Sequence, residues 1–308
     1  MTIQPIVRMA RADDIDAYYA LAGLTGGGMT NLPHDKDWLA KKLAWSEKSL
    51  STNITAPDNE FYVLLLEDQE SGKVLGTANI FSRLGAIWPF YSYKVSRVTH
   101  VSRDLERSFS TQLLHLVNDF DGATEVGGLF LHPEVRSTGL GPLLARSRYM
   151  FIARHPERFG DRVCAEIRGW TRNGISPFWE AVGKPFFGAD FYDADRHNAL
   201  RGNQFIADLM PRYPIYVTML PEAAREAIGR PHDSSIPAYR MLESEGFVYD
   251  GYVDIFDGGP TLAARTADIR TIRKCKPVEG SESSLLSALE RPLLATGRTA
   301  DFRVGYAD

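Results

Sequence analysis

The sequence predicts an α/β protein built on a mixed β-sheet, and three observations lead to that class. An apolar strand at 124–131 runs through a glycine-containing turn into a helix that begins near residue 142. Strand-like and helical segments alternate from the first residues onward, which is typical of a sheet covered by helices. Two segments, 176–187 and 236–247, share a plan of a short helix with Pro in its first turn, a Gly stop and then an aromatic strand. We expect a partly parallel sheet, and the repeated plan allows two similar packed lobes.

The individual elements follow from local patterns along the chain. Apolar residues three and four positions apart assign the helices, whereas alternation and β-branched or aromatic runs assign the strands. In the strand at 162–169, alternation places Cys164, Glu166 and Arg168 on one face. The predicted elements are a strand at 6–8, helices at 12–22 and 35–50, paired strands at 61–66 and 74–80, and strands at 88–102, 124–131 and 162–169.

The composition divides the chain into a main region and a short extension. Residues 1–275 carry the alternating elements, with a possible lobe boundary in the polar stretch near 190–205. After Lys276 the chain becomes rich in Ser, Gly and Glu, so residues 276–308 are expected to be a linker and a C-terminal extension.

Charge, cysteine usage and hydropathy exclude several classes of protein. The net charge of −4, from 35 basic and 39 acidic residues, gives no reason to expect nucleic acid or an anionic membrane as a partner. There is no continuous apolar stretch for a membrane span and no apolar core of a signal peptide at the N-terminus, so a cytoplasmic enzyme is expected. The two cysteines, Cys164 and Cys275, form no disulfide framework. No His, Cys or Asp cluster has the spacing of metal ligands, and no metal is expected.

The turn after the 124–131 strand has the form Arg-x-x-Gly-x-Gly. Gly139 and Gly141 allow a ligand to approach the backbone, and the amide N–H groups at the start of a helix form an anion site. The turn lacks the Lys-Ser/Thr pair of a nucleoside-triphosphate loop, which leaves a pyrophosphate cradle of the kind that holds coenzyme A. A tight turn without a ligand is the alternative. The predicted cofactor-binding residues are Leu129, Leu131, Arg136, Ser137, Thr138, Gly139, Leu140 and Gly141.

The block 125–143 resembles the coenzyme A loop of the GNAT superfamily of N-acetyltransferases, which implies a GNAT-like acyl-CoA N-acyltransferase fold. Many members carry a Tyr on the closing helix that protonates the departing thiolate. The corresponding positions here are Trp179 and Leu242, and neither side chain is a usable acid. His232, in a polar loop before the second helix–glycine segment, is the candidate for proton transfer because imidazole titrates near neutral pH. A solvated loop histidine is the alternative.

A closer resemblance is to the arginine N-succinyltransferase family, and it spans residues 20–275. It rests on sequence motifs such as Thr-Gly-Gly-Gly-Met-Thr-Asn-Leu-Pro at 25–33, Ala-Glu-Ile-Arg-Gly at 165–169 and Asp-Ile-Phe-Asp-Gly-Gly-Pro-Thr-Leu at 254–262. The resemblance implies transfer of a succinyl group from succinyl-CoA to the α-amine of L-arginine in arginine catabolism, with no permanently bound cofactor. It also implies that His232 transfers protons and that Leu129 contacts succinyl-CoA. The family usually carries more strand-like residues after the equivalent of Arg303, which leaves open a homo-oligomer or a hetero-oligomer with a related subunit.

The substrate contacts follow from charge complementarity. The guanidinium of arginine requires a carboxylate, for which Glu166, Asp254 and Asp257 are the candidates. The free carboxylate of the succinyl group requires a cation, for which Arg168 is the first choice. A structural ion pair between Glu166 and Arg168 is the alternative. Two other functions stay open: a related N-acyltransferase with a different donor or acceptor, and a non-catalytic subunit that assembles with an active relative.

Overall fold

The computed structural model describes residues 3–26, 29, 31–190, 209–211, 213–279, 281–287 and 291–307, and its described strands form one fourteen-stranded sheet. The strands are β1 (Pro5–Met9), β2 (Phe61–Asp68), β3 (Val74–Phe81), β4 (Ser92–Ser102), β5 (Arg107–Val117), β6 (Thr124–Leu131), β7 (Arg162–Glu166), β8 (Ile215–Tyr216), β9 (Val248–Val253), β10 (Pro260–Arg265), β11 (Lys276–Pro277), β12 (Ser284–Leu286), β13 (Leu293–Thr296) and β14 (Arg303–Tyr306). The described α-helices are α1 (Ile15–Gly23), α2 (Lys36–Ser51), α3 (Leu140–Arg154), α4 (Pro177–Val182), α5 (Lys184–Phe187), α6 (Glu222–Ala227), α7 (Ile236–Glu245) and α8 (Arg270–Lys274). None of these helices has the length and apolar character needed to cross a bilayer.

The predicted mixed sheet is confirmed, and its parallel pair lies at the centre. The strand order is β11-β12-β13-β14-β1-β2-β3-β6-β7-β10-β9-β4-β5-β8. β6 and β7 run parallel, with Thr124 opposite Val163 and Glu125 opposite Cys164. The neighbouring pairs β3–β6 and β7–β10 are antiparallel. α3 makes the crossover that a parallel pair requires.

Helices cover both faces of the sheet next to this pair. Leu65 of β2 lies in the core beneath α1 and α2, whereas Leu64 lies in the core beneath α3. Every residue of the run 61–66 is buried. The continuous apolar run at this position is therefore the pattern of a strand covered on two sides.

The two helix–glycine segments have different continuations. α7 ends at Gly246, whose φ of +98° is left-handed, and β9 follows as predicted. The aromatic strand predicted after Gly183 is wrong, because Gly183 has right-handed helical angles and the chain continues as α5. A Cβ at Gly183 would lie 2.1 Å from the indole of Trp179, so this glycine, which ends α4, also permits close packing of the indole.

The two segments pack into separate cores along one continuous sheet. Trp179 of α4 is fully buried in a core with Val253, and Leu242 of α7 lies in the core beneath α3. Residues 191–205 of the predicted lobe boundary lie outside the described residues, as do Gly27, Gly28 and Thr30 of the glycine-rich segment.

The C-terminal segment belongs to the same sheet as the rest of the chain. β14 pairs antiparallel with β1, with Val304 opposite Val7, and β11 to β13 continue the sheet outward. Residues 278–283 connect β11 to β12 within this sheet, where the composition indicates a linker. Val304 and Phe302 are fully buried in the core beneath α3, so the extension completes that core.

Candidate active site

The turn after β6 exposes the N-terminus of α3. Ser137 and Gly139 have left-handed φ values of +67° and +84°, and Gly139 is the N-cap residue. No side chain caps this end of the fifteen-residue helix, and a Cβ at Gly139 would meet no atom within 4 Å. The turn is held by Thr138, whose hydroxyl donates to the Val135 carbonyl at 2.7 Å, and by Arg136, whose Nε donates to the Leu131 carbonyl at 3.3 Å. The first amide groups of α3 are thereby presented together, which is the arrangement that binds an anion.

A β-bulge interrupts β6 before this turn. Thr77 of β3 lies opposite Phe130 and Asn79 lies opposite Gly127, so two residues of β6 face one residue of β3. Gly128, within the bulge, has a φ of +58°. The bulge leaves backbone groups outside the regular ladder and turns Leu129 toward the core beneath α3. Leu131 packs against the same core.

β6 and β7 stop pairing before the bulge. Their pairing covers only residues 124–125 and 163–164. The continuation of β7 bonds to other segments, with the Ile167 amide donating to the Pro260 carbonyl at 3.1 Å and Gly169 bridging to Pro231. Met241 of α7 approaches Gly141 at the N-terminus of α3. The only parallel pairing among the described strands therefore ends before the glycine turn.

His232 lies at the edge formed by the continuation of β7. Its backbone amide donates to the Arg168 carbonyl at 2.8 Å, so the fold brings these two predicted site residues together. The Ser234 amide donates to Nδ1 at 3.2 Å, and the Ser234 hydroxyl lies 2.7 Å from the same atom. Because a backbone amide is always a donor, the neutral ring carries its proton on Nε2. Burial, and then the positive charge of Arg168, lower the pKa of His232, so the ring is neutral at pH 7.

The two aspartates predicted as guanidinium ligands lie in the connection between β9 and β10, where both accept backbone bonds. Asp257 is buried and accepts from the amides of Gly169 at 2.6 Å and Gly259 at 2.8 Å. Asp254 accepts from the amides of Phe256 at 2.7 Å and Asp257 at 2.8 Å. Burial raises the pKa of Asp257 despite these bonds. Asp257 therefore ties the connection to Gly169, next to Arg168.

Glu166 and Arg168 are both half-buried, and Arg168 lies two residues beyond the end of β7. Glu166 is the last residue of β7 and lies opposite Thr261 of β10. Arg168 is close enough to His232 and Asp257 to influence the pKa of each. The structure thus groups Arg168, His232 and Asp257, with Glu166 two residues away along the strand.

A buried Lys–Glu pair next to the bulge is absent from the sequence predictions. The Lys42 ammonium lies 4.3 Å from the ring centroid of Trp38 and 4.4 Å from that of Phe61. Burial lowers the pKa of Lys42 to about 7 and raises that of Glu125 to about 7. A Cβ at Gly127 would lie 3.4 Å from a Glu125 carboxylate oxygen. Glu125 interrupts an otherwise apolar strand, and this is the one local signal that marks it.

Arg148 of α3 is a second buried charged group that the sequence analysis missed. It lies one helical turn after the buried Leu144, on the apolar face of the helix, and its Nη1 donates to the Gly127 carbonyl at 3.3 Å. A charged residue on the apolar face of a helix is an unusual pattern, and that pattern could have identified it.

An open pocket lies elsewhere on the molecule. It has a volume of about 650 Å³ and is lined by residues of β4, β5 and α6, among them Arg97 and Arg225. β5 is four strands from β7 in the sheet, so this pocket is separate from the glycine turn after β6. Within the described ranges, no three His, Cys, Asp or Glu side chains are placed to hold a metal ion together.

Comparison with known proteins identifies the family. The family model for the arginine N-succinyltransferase beta subunit matches residues 5–271. The arginine N-succinyltransferase of Yersinia pestis (strain Pestoides F) is 42% identical over 276 residues, which cover 89% of this chain and 77% of the relative. That of Salmonella arizonae is 41% identical over 278 residues, covering 90% and 80%.

A solved structure agrees with these matches. The arginine/ornithine succinyltransferase subunit AI from Pseudomonas aeruginosa superposes with a TM-score of 0.85 at 33% identity, covering all of this chain and 90% of that chain. The agreement confirms the predicted fold class, an α/β fold built on a mixed sheet. The chain therefore belongs to the arginine N-succinyltransferase family and is an acyltransferase.

Proposed function

We propose that this enzyme transfers the succinyl group of succinyl-CoA to the α-amine of L-arginine, giving N2-succinyl-L-arginine and coenzyme A in arginine catabolism. The observation that carries the proposal is the 42% identity, over 89% of the chain, to a relative named for this reaction. The uncapped glycine turn, and the end of the β6–β7 pairing before it, support an acyl-CoA donor.

The donor is held by the turn and by the strand before it. The amide N–H groups of residues 137–141 at the N-terminus of α3 bind the pyrophosphate, aided by the helix dipole, whereas Pro142 has no N–H to donate. Leu129 and Leu131 line the path of the acyl-carrying arm along β6, and Arg136, which is held to the Leu131 carbonyl, adds positive charge near the phosphates. Succinyl-CoA is a co-substrate in this scheme, and no permanently bound cofactor is involved.

The bulge supplies the group that polarises the thioester. A bulged residue lies outside the regular ladder, so an amide near Leu129 is available to donate to the carbonyl oxygen of the donor. Such a donor stabilises the negative charge that develops on this oxygen when the amine attacks. The left-handed φ of Gly128 fixes the local direction of the chain.

His232 moves the proton. The amine nitrogen forms a bond to the acyl carbon, the carbon–sulfur bond breaks, and one amine proton is transferred to the thiolate sulfur. The neutral ring donates its Nε2 proton to the departing sulfur in the same step in which the amine proton reaches Nδ1 through the Ser234 hydroxyl, 2.7 Å away, so the ring stays neutral throughout. Ser234 orients the ring through Nδ1.

The acceptor contacts come from the same end of β7. Glu166 is the proposed carboxylate for the guanidinium, and Arg168 is the sequence-derived candidate for the succinyl carboxylate. Asp254 and Asp257 are reassigned to positioning, because their carboxylate oxygens accept backbone amides of the connection beside Arg168.

Two further proposals concern the amine acceptor and the oligomeric assembly. Transfer to ornithine is favoured by the name of the solved Pseudomonas aeruginosa relative, an arginine/ornithine succinyltransferase. That relative is also named as a subunit, which supports the proposal of a hetero-oligomer with a related chain, with a homo-oligomer as the alternative. A cytoplasmic location stays a prediction.

The test measures release of the coenzyme A thiol by the purified chain. Succinyl-CoA or acetyl-CoA is offered with L-arginine, L-ornithine or no acceptor. Release from succinyl-CoA that depends on L-arginine supports the proposal, and the larger rate between the two amino acids identifies the acceptor. If no pair gives release while coenzyme A still raises the melting temperature, the chain is a cofactor-binding subunit.

The role of His232 is tested separately with His232→Ala. We expect the turnover rate to fall by about two to four orders of magnitude while the affinity for coenzyme A is kept. His132, whose Nδ1 accepts the Glu134 amide in the same way, provides the matched control His132→Ala. An active His232→Ala enzyme would contradict the assignment.

A further inference from the structure

Arg148 is buried in the core beneath α3 without a carboxylate. Only 3% of the residue is exposed. Its Nε donates to the Ala145 carbonyl and its Nη1 to the Gly127 carbonyl, both at 3.3 Å. Throughout the described part of the chain, no Asp or Glu oxygen lies within ion-pair distance of its guanidinium. These two bonds use two of the five N–H donors of the group.

Such an arrangement is costly unless the charge has a further purpose. An arginine cannot lose its proton in a protein, so burial of its charge without an anion lowers the stability of the fold. Burial lowers the pKa of Arg148, which is the direction expected for a cation without a counter-charge. By contrast, Arg146, two residues earlier on α3, donates from Nε to a Glu245 oxygen at 2.9 Å. The same helix therefore carries one neutralised and one uncompensated arginine.

The position of Arg148 joins it to the proposed reaction centre. Gly127, its acceptor, is the residue of β6 at the start of the bulge, where the donor carbonyl is proposed to bind. Arg148 lies eight residues after the first residue of α3, which is about 12 Å along the helix from the proposed pyrophosphate site. The turn and the bulge are separated along β6 by a similar length, about 13 Å for the four residues from Gly127 to Leu131. A donor that lies along β6 thus brings its acyl group to the level of Arg148.

We propose that Arg148 binds the free carboxylate of the succinyl group and selects a dicarboxylic acyl donor. The remaining N–H donors of the guanidinium suit a carboxylate, which arginine recognises through paired hydrogen bonds. The Gly127 and Ala145 carbonyls hold the guanidinium in place before the donor arrives. The inference rests on the proposed function for the identity of the donor. It assigns the succinyl carboxylate to Arg148, whereas the sequence analysis predicted Arg168 for that contact.

The experiment compares two donors of equal carbon number, succinyl-CoA and butyryl-CoA, which lacks the carboxylate. Dissociation constants are measured by titration calorimetry without acceptor for the wild type and for Arg148→Met, Arg168→Met and Arg146→Met. Coenzyme A binding and the melting temperature verify that each variant is folded. kcat/KM with L-arginine is then measured for the same proteins.

In the wild type we expect succinyl-CoA to bind about 10- to 100-fold more tightly than butyryl-CoA, the range for a hydrogen-bonded charge pair. Arg148→Met should bring this ratio close to one by weakening succinyl-CoA alone, whereas Arg146→Met should keep the wild-type ratio. A ratio that is unchanged in Arg148→Met, or lost in Arg168→Met instead, overturns the proposal. An equal weakening of both donors and of coenzyme A assigns Arg148 a purely structural role and also overturns it.

Two further readouts keep the inference separate from folding and from the proposed function. If Arg148→Met does not fold, Arg148→Lys preserves the charge but not the paired geometry, and it should reduce the ratio; an unchanged ratio contradicts the inference. If the wild type transfers nothing to L-arginine but shows the Arg148-dependent ratio, the proposed reaction fails and donor recognition stands. If transfer occurs and the ratio ignores Arg148, only the inference fails.

Discussion

Substitution of Gly128 by alanine tests whether the bulge of β6 is as tightly built as the structure indicates. The residue has a φ of +58°, which an L side chain rarely adopts. An added Cβ would lie 2.3 Å from Nδ2 and 2.7 Å from Cγ of Asn79. Asn79 is only 1% exposed and belongs to β3, so it has no free space into which it can move.

The magnitude follows from these two effects. A left-handed conformation costs a non-glycine residue about 1–2 kcal/mol. Overpacking a buried site costs about 1–3 kcal/mol. Together they predict that Gly128→Ala lowers the free energy of unfolding by about 2–5 kcal/mol. The unfolding entropy of a chain of 308 residues is about 0.65 kcal/mol/K, so the melting temperature should fall by about 3–8 °C.

The assay is thermal unfolding followed by circular dichroism, together with arginine-dependent thiol release at a temperature where the variant is folded. Gly72→Ala is the matched control, because Gly72 has a φ of +70° but nothing within 4 Å of the added Cβ. That control carries the conformational cost alone, about 1–2 kcal/mol. Asn79→Ala in the Gly128→Ala background removes the two overlapping atoms and should restore part of the lost stability.

The transfer rate distinguishes a loss of stability through crowding at Gly128 from a displacement of the polarising amide. If the bulge places the polarising amide, Gly128→Ala should lower the transfer rate more than Gly72→Ala does, with both proteins folded. A Gly128→Ala protein as stable and as active as Gly72→Ala would refute the reasoning on both counts.

Three further predictions concern charged groups. Burial and Arg168 lower the pKa of His232 below the ordinary histidine value of about 6.5, so the ring is neutral above about pH 6.5. kcat should therefore fall as the pH drops through the lowered pKa. The pH profile of His232→Ala should lack this decrease. Glu245 is buried and bonds Arg146 and the Thr271 amide, so Glu245→Ala should cost about 2–4 kcal/mol in urea unfolding, whereas the exposed Glu243→Ala should cost almost nothing. Asp257→Asn leaves one of two backbone amides without its oxygen acceptor and should cost about 1–3 kcal/mol in the same assay, with no effect of the substitution contradicting the positioning role.

Much of the fold could be predicted because its signals are local. The helix spacing of 12–22 and 35–50, the run at 61–66 and the alternation at 162–169 each predicted an element that the structure contains. The strand predicted after Gly183 is wrong, because a glycine that ends a helix can be followed by a strand or by a second helix. The close contact of Gly183 with Trp179 accompanies the second helix, and it exists only in the folded protein.

The C-terminal segment illustrates a second limit of local patterns. The polar composition after Lys276 resembles a linker, and its strands are only two to four residues long. They are stabilised by pairing with β1, almost 300 residues earlier, and by burial of Phe302. Contacts over such a separation leave no mark on the composition of the segment itself.

The candidate site also combines features that the local sequence determines with features that depend on tertiary contacts. The sequence by itself determined the glycine turn, the start of α3 and its anion-binding amides, because these depend on atoms that are neighbours in the chain. Only the tertiary structure decided that the pairing of β6 with β7 ends before the glycine turn and that His232 lies against Arg168. It also decided that the carboxylate of Asp257 accepts backbone amides and that Arg148 is buried without a neighbouring Asp or Glu. The physical reason is that burial and charge pairing depend on segments far apart in the chain, whereas turn geometry depends on the few residues that form it.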